Sequence, residues 1–277
     1  MKLLKNIFVM CHYFHDDEKF KKIQGSISRK KFENLVKKNL SKKYIYTFDD
    51  CLKSQFYIAK PVLEKYNLKG LFFMNTFQLE KKYNYHEISK FFCNRFFKSF
   101  ENYSIEFIKN FMLLNKNFRF NKKEIDKVKK KFPFYTDNEI KLRIVRTENF
   151  STYNKILIKI FKSNKFNYKL FQKKIYMNKK EILDISKKHE IGLHTHTHPF
   201  DFHVLSKKKQ YTEIFKNKKI LENIIKKRIT SFSYPVGNYK SNIFPILKKL
   251  KILSAFTNNS KNRNSIFEIS RININKL

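Results

Sequence analysis

The sequence predicts an α/β protein built on a parallel barrel or sheet, with a mainly helical insertion at about 80–180. Two observations support this prediction. Short apolar runs of strand length alternate with helix-like amphipathic segments on both sides of the insertion. Inside the insertion, phenylalanine and aliphatic residues recur at helical spacing, so we expect helices that bury their aromatic faces against the barrel. The 277 residues suffice for a single domain over 1–277 that carries this insertion.

Strands and helices alternate before the insertion. Ser28 is placed to cap the first helix, because its hydroxyl can accept a bond from an exposed backbone N–H. Pro61 interrupts the pattern of the second helix, since proline has no N–H to donate. The predicted elements are a strand at 7–11, a helix beginning near 30, a strand at 44–48, a helix at about 56–66 and a strand at 70–75.

The same alternation resumes after the insertion, which is why both parts are assigned to one parallel sheet or barrel. The predicted elements are a helix at 181–188, a strand ending near 193, a helix at about 211–225, a strand around 232, a helix at about 242–250, and strands at about 253–257 and 267–274.

Polar side chains follow three of the predicted strands. Asp49 and Asp50 end one, a histidine block from His194 to His198 follows another, and Ser233–Gly237 follows a third. Taken singly, a histidine cluster is common on protein surfaces and an Asp pair is common in turns and caps. Together they favour a metallohydrolase, because α/β enzymes place their sites at strand ends and neutral imidazoles bind divalent metals.

These segments resemble the motifs of the polysaccharide deacetylases, the NodB-homology or carbohydrate esterase 4 family. Thr47-Phe48-Asp49-Asp50 is similar to the first motif, and His194-Thr195-His196-Thr197-His198 to the His-Ser/Thr-x-x-His motif. Ser233–Gly237 resembles the third motif in the Tyr-Pro-x-Gly form of one branch. The resemblance covers about 5–79 and 181–277, and it implies an incomplete parallel (β/α)7-type barrel.

The resemblance also implies roles for the first two motifs. Asp49 would be the catalytic base, while Asp50, His194 and His198 would bind a divalent metal, with Zn²⁺ expected and Co²⁺ or Ni²⁺ as alternatives. Two nitrogens and one oxygen leave coordination positions open for water and substrate, as a catalytic site requires. His196 is expected to point away from the metal.

The remaining roles depend on departures from the family pattern. The backbone N–H of Val236 would bind the oxyanion, as in the third motif. Ser233 stands where the family usually has an arginine that steadies the catalytic Asp. Arg271 on the last strand is the candidate to take over that role. The late general-acid histidine of the family is missing, so His12, which resembles a histidine of the biofilm-glucosamine branch, is the candidate acid. Cys51 replaces a glycine, so an altered turn is expected after the Asp pair.

The resemblance implies a metal-dependent de-N-acetylase acting on an N-acetylated amino sugar, free or linked to a lipid or nucleotide, in surface polysaccharide or lipopolysaccharide biosynthesis. Two alternatives remain open at the sequence level. One is a non-catalytic carbohydrate- or nucleic-acid-binding descendant of the fold, and the other is a hydrolase of another linear or cyclic amide. The retained Asp49 favours an enzyme, because a protein that only binds metal does not need the base.

The composition is strongly basic, with 61 Lys and Arg against 23 Asp and Glu and a formal net charge of +38. The lysines are spread along the whole chain, so nucleic acid is not the favoured partner, and anionic membrane surfaces or anionic sugar carriers suit the charge better. The three cysteines form no disulfide framework. We expect neither a leader nor a membrane span, and therefore a cytoplasmic protein with peripheral contact to the inner membrane face.

Overall fold

The computed structural model describes residues 6–16, 18–42, 44–258 and 265–277. The chain forms two compact units. The first comprises Met1–Tyr83 and Lys173–Leu277, and the second comprises Asn84–Gln172. The second unit therefore falls inside the segment for which the sequence predicts a helical insertion.

The first unit is built around a barrel. Its strands are β1 (Ile7–Cys11), β2 (Phe14–His15), β3 (Ile27–Ser28), β4 (Tyr44–Phe48), β5 (Leu71–Met74), β6 (Glu190–Leu193), β7 (Ser231–Ser233), β8 (Ser254–Thr257) and β9 (Ile269–Asn273). Among the described residues, β1 and β4 to β9 form a closed parallel barrel in chain order, and β2 pairs with β3 separately. The predicted α/β barrel class is confirmed. The ring closes because β9 pairs directly with β1, with Arg271 opposite Phe8.

The barrel strands are almost fully buried. All four residues of β5 and β8 are buried, as are the last four residues of β1. Strands of a parallel barrel are covered by helices outside and filled by side chains inside, so they read as continuous apolar runs rather than alternating ones. Gly192 in β6 is required by this packing, because a Cβ there would lie 2.3 Å from the Phe73 ring.

Among the described residues of the first unit, five α-helices lie wholly inside it: α1 (Arg29–Lys38), α2 (Lys60–Lys65), α9 (Lys179–Lys188), α10 (Lys207–Ile225) and α11 (Phe244–Lys249). Ser28 caps α1 as predicted, accepting a bond from the Lys31 N–H. The helix predicted at about 56–66 is two segments, a π-helical stretch over Gln55–Ala59 followed by α2. Pro61 directly follows the π-helical stretch in a helix that runs without a break over 53–65, and it has no N–H to donate there.

The second unit is helical, as the sequence predicts for the insertion. Its helices are α3 (Tyr85–Phe96), α4 (Phe100–Leu114), α5 (Lys122–Lys131), α6 (Asp137–Glu148), α7 (Phe150–Ser163) and α8 (Tyr168–Ile175), the last of which runs past the boundary of the unit. Phe92, Phe107 and Phe161 are fully buried. The ring of Phe92 lies 4.9 Å from that of Phe161, so aromatic side chains of the second unit pack on one another.

Candidate metal centre and catalytic site

The residues singled out in the sequence meet at the carboxyl ends of the barrel strands. His12 follows β1, Asp49 and Asp50 follow β4, and His194 follows β6. Arg271 lies within β9, which is paired with β1. Parallel strands all present their carboxyl ends at one rim of the barrel, and this is the rim where enzymes of this architecture carry their sites.

Asp50, His194 and His198 form a compact donor set. One ligand atom from each residue lies within 4.8 Å of those from the other two. The Nε2 atoms of His194 and His198 are 3.5 Å and 3.4 Å from the same Asp50 oxygen. Two imidazole nitrogens and a carboxylate oxygen are a donor set used by catalytic zinc, so the residues present fit a divalent ion.

The ring of His194 is oriented by its second nitrogen. Nδ1 lies 2.8 Å from the backbone oxygen of Ser233, so Nδ1–H donates there and Nε2 faces the donor set. Burial favours the neutral ring, but the adjacent carboxylates of Asp49 and Asp50 outweigh it and raise the pKa of His194. The pKa of Asp50 moves the other way. Burial opposes its ionisation, yet the nearby rings of His198 and His194 lower it strongly.

The turn after β4 keeps the conformation that a glycine would provide. Asp50 and Cys51 both have positive φ, at 80° and 59°. Such angles are strained for residues with a Cβ, and they persist only when neighbouring contacts enforce them. Here the Cys51 carbonyl accepts a bond from the Met177 N–H, and the Leu52 N–H donates to the Gln55 side chain. The altered turn expected from the loss of glycine stays a prediction, and these contacts hold both residues at positive φ.

Asp49 is held by a bidentate ion pair with Arg271. The two guanidinium nitrogens lie 2.7 Å and 2.8 Å from the two carboxylate oxygens. Arg271 also donates to the hydroxyls of Ser233 and Thr47. Burial alone would raise the pKa of Asp49, but the positive charge of Arg271 outweighs it and lowers that pKa. The arrangement keeps Asp49 ionised and fixes its orientation.

His12 faces both carboxylates from the end of β1. Its Nε2 lies 3.7 Å from an Asp49 oxygen and 4.0 Å from an Asp50 oxygen. Its side chain is 30% exposed, against 18% for His198, 11% for Asp50 and 4% for Asp49, so His12 is the most exposed of these side chains. Such a position suits a residue that exchanges protons with a substrate entering from the rim.

Val236 lies in the short turn that follows β7. Its φ is 57°, and its carbonyl accepts a bond from the Asn258 side chain. The next residue, Gly237, has a φ of 74°, and a Cβ there would lie 1.7 Å from the Asn258 amide oxygen. The Gly237 carbonyl is in turn held by the Thr257 hydroxyl. The turn is therefore rigidly shaped, as a backbone oxyanion donor requires.

His196 points away from the donor set, as expected. Its Nδ1 lies 2.9 Å from the Thr76 hydroxyl and its Nε2 lies 3.2 Å from a Glu80 oxygen. Burial, together with the nearby Lys216 ammonium, lowers the pKa of His196. The third histidine of the block thus anchors the segment to the residues after β5.

Three residues near the site escape notice in the sequence. Gln55 donates to the carbonyls of both His12 and Asp49. On α10, Glu213 and Asn217 bind the histidine block from outside. A signal existed for Asn217, because it lies on the buried stripe of α10 as a polar residue at apolar spacing. Gln55 and Glu213 carry no such signal, since polar residues are ordinary at helix starts and on exposed helix faces.

A family model described as polysaccharide deacetylase matches residues 147–255, which is less than half of the chain. The matched stretch contains the histidine block and the Ser233–Gly237 segment, whereas Asp49 and Asp50 lie outside it. A search of curated protein sequences finds no significant match.

Solved structures with the same fold include several deacetylases. The deacetylase PplD of Streptococcus pyogenes, solved with acetate, is 15% identical at a TM-score of 0.53, covering 97% of this chain and 91% of that one. IcaB of Ammonifex degensii is 13% identical at a TM-score of 0.56, with the same two coverages. A de-N-acetylase of Aggregatibacter actinomycetemcomitans is 12% identical at a TM-score of 0.55, covering 96% and 94%. A polysaccharide deacetylase model thus matches part of the chain, and these solved structures show that the chain has the fold of known deacetylases.

Proposed function

We propose that this protein is a metal-dependent de-N-acetylase that removes acetate from an N-acetylated amino sugar in surface polysaccharide or lipopolysaccharide biosynthesis. The observation that carries the proposal is the placement of Asp49. It is a buried carboxylate oriented by Arg271, beside the donor set of Asp50, His194 and His198. A protein that only bound metal would gain nothing from a second oriented carboxylate at this place.

Each residue of the site then has a chemical task. Asp50, His194 and His198 would hold a divalent ion, expected to be Zn²⁺, which would supply a Lewis acid for the amide carbonyl and for water. Asp49 accepts the proton of the attacking water, and the Val236 N–H donates to the developing oxyanion. His12 donates a proton to the departing amine, so the amide and water become acetate and a free amine. Arg271 touches neither substrate nor water in this scheme and acts by positioning Asp49.

We infer an anionic carrier for the sugar from the charge of the protein. A net charge of +38 raises the local concentration of negatively charged molecules and speeds their encounter with the protein. Lipid-linked and nucleotide-linked sugars both carry phosphate, and a lipid carrier would bring the protein to an anionic membrane surface. Among the described residues, no helix combines the length and apolarity needed to span a bilayer. The cytoplasmic location expected from the sequence remains a prediction, which cell fractionation tests.

Acetate release is the direct test of this function. The purified protein, loaded with Zn²⁺ or Co²⁺, would be incubated with N-acetylated oligosaccharides, nucleotide sugars and lipid-linked sugars. We expect acetate from at least one class, a loss of release of about 10²–10⁴ in Asp49→Asn, and full release in the control Asp126→Asn on the exposed face of α5. Loss of release in both variants, or no release from any class, would contradict the proposal.

A further inference from the structure

Glu213 on α10 binds the segment that carries two of the three donor residues, His194 and His198. We define residues 194–198 as the His loop. The Glu213 carboxylate accepts bonds from the Thr197 N–H and the Thr197 hydroxyl, both at 2.7 Å. Its backbone carbonyl accepts a third bond from the His196 N–H at 3.0 Å. One residue outside the loop therefore binds two consecutive loop residues just before His198.

Asn217, one turn further along α10, forms hydrogen bonds at the other end of the loop. Its amide oxygen accepts a bond from the His194 N–H at 3.0 Å, and its amide nitrogen donates to the Met74 carbonyl and the Thr76 hydroxyl. The side chain is fully buried, so its hydrogen-bonding groups must find partners inside the protein. Asn217 thereby reinforces the junction of β5 and the His loop, which the His194 N–H and the Met74 carbonyl also join directly at 3.2 Å.

The loop needs such support because its backbone is strained. Thr195 and His198 have φ values of 62° and 52°, in the left-handed region that costs free energy for residues with a Cβ. Inside the loop, a hydrogen bond from the His198 N–H to the Thr195 hydroxyl stabilises this strained backbone. The bonds from α10 add to this one, and they act on the residues that decide where the two imidazoles point.

We propose that Glu213 and Asn217 are positioning residues for the metal centre, with Glu213 setting the place of His198 and Asn217 that of His194. The inference rests on the proposed metal-dependent function and deepens it. Outer residues that orient ligands typically account for about 10- to 100-fold in metal affinity. Glu213 and Asn217 are thus expected to change the affinity for an ion that neither of them touches.

Helix α10 offers a matched control for the test. Glu222 also accepts a backbone N–H with its carboxylate, that of Ile229 at 2.8 Å, and pairs with Lys218 at 2.7 Å. Its bonds hold the end of α10 and the residues that lead to β7. Removing Glu222 should therefore lower stability in the way that removing Glu213 does, without disturbing the His loop.

The experiment titrates the metal-free full chain with Co²⁺, followed by absorption, and measures unfolding of the same samples in urea. Glu213→Ala should weaken Co²⁺ binding by about 10- to 100-fold, while Glu222→Ala leaves Co²⁺ affinity unchanged. Glu213→Gln keeps an acceptor for the Thr197 N–H and should recover most of the affinity. Thr197→Val should weaken binding less than Glu213→Ala. Its effect should be non-additive with Glu213→Ala, because the two residues share a bond.

The outcomes separate this inference from the proposed function. If the unaltered chain binds no Co²⁺, the metal-dependent function fails and the inference falls with it. If the unaltered chain binds Co²⁺ but Glu213→Ala binds equally well, or Glu222→Ala weakens binding as much, the inference alone is wrong. If Glu213→Ala does not fold, Glu213→Gln and Thr197→Val decide, and unchanged affinity in Thr197→Val overturns the inference.

Discussion

At the scale of single residues, two adjacent carboxylates interact with different groups. Asp49 faces Arg271, while Asp50 faces His194 and His198. The left-handed backbone at Asp50 is the means by which neighbours on one chain turn to different groups. Residue patterns alone show the Asp pair but not this division, which was expected from the family resemblance together with Arg271 as candidate partner, 222 positions away from Asp49.

The division predicts that substitutions of the two carboxylates have different effects. Asp49→Asn should bind Co²⁺ as the unaltered chain does and yet lose activity, because it removes the base and spares the donor set. Asp50→Asn and His194→Ala should lose Co²⁺ binding and activity together. Metal titration and acetate assay on the same preparations measure both. Full acetate release from Asp49→Asn would refute the proposed base.

The ion pair between Asp49 and Arg271 predicts a strong non-additive effect on stability. Arg271→Leu should lower the free energy of unfolding by about 3–5 kcal/mol, because it leaves a buried carboxylate unpaired. Adding Asp49→Asn should restore part of that loss, since the stranded charge is then removed. Urea unfolding of the two single variants and the double variant measures the coupling. Additive losses would show that the pair is not energetically coupled.

The exposed position of His12 predicts an effect on catalysis without an effect on metal. His12→Ala should slow acetate release by about 10²–10⁴ if His12 protonates the leaving amine. Co²⁺ affinity should be unchanged, because His12 lies outside the donor set. Comparing substrates with better amine leaving groups gives a sharper readout. Such substrates need less protonation and should recover rate in His12→Ala, whereas equal losses on all substrates would count against the acid role.

At the scale of elements, the turn after β4 predicts that glycine at position 51 gives a more stable protein than alanine does, which is the reverse of the usual order. Cys51→Gly and Cys51→Ala both remove the buried thiol, but only glycine relieves the positive φ. Cys51→Gly should therefore be more stable than Cys51→Ala, by about 1 kcal/mol. Cys11 in β1 provides the control, because alanine should be better than glycine by about 0.5–1 kcal/mol in a strand. Urea unfolding of the four variants measures the order, and the same order at both positions would contradict the strain.

Elements were predictable from the sequence where the local pattern determined them. The strand at 44–48 and the cap at Ser28 follow directly from apolar spacing and a hydroxyl before a helix. The π-helical stretch at Gln55–Ala59 does not follow from the sequence pattern, and Gln55 in it donates to the carbonyls of His12 and Asp49, which lie earlier in the chain. The bonds from Glu213 to the His loop leave no local pattern in the sequence, whereas Asn217 is marked as a polar residue at apolar spacing on α10, although its partners are not.

At the scale of the whole molecule, the net charge of +38 predicts association with anionic surfaces. We expect the protein to bind vesicles that contain phosphatidylglycerol and to be released as salt is raised, because exposed charges are screened at about 8–10 Å in 0.1–0.15 M salt. Sedimentation with anionic and neutral vesicles over a salt series measures the effect. Equal binding to neutral vesicles, or binding insensitive to salt, would exclude an electrostatic origin.

The closure of the barrel by β9 has a consequence for when the site can form during synthesis. Asp49 is synthesised 222 residues before Arg271, the residue of β9 that neutralises it. On the ribosome, Asp49 therefore lacks this counter-charge, and the barrel stays open, until β9 has been synthesised. A nascent chain cannot hold a finished site, and a chain that stops short of residue 271 keeps the metal donors but loses the group that orients the base.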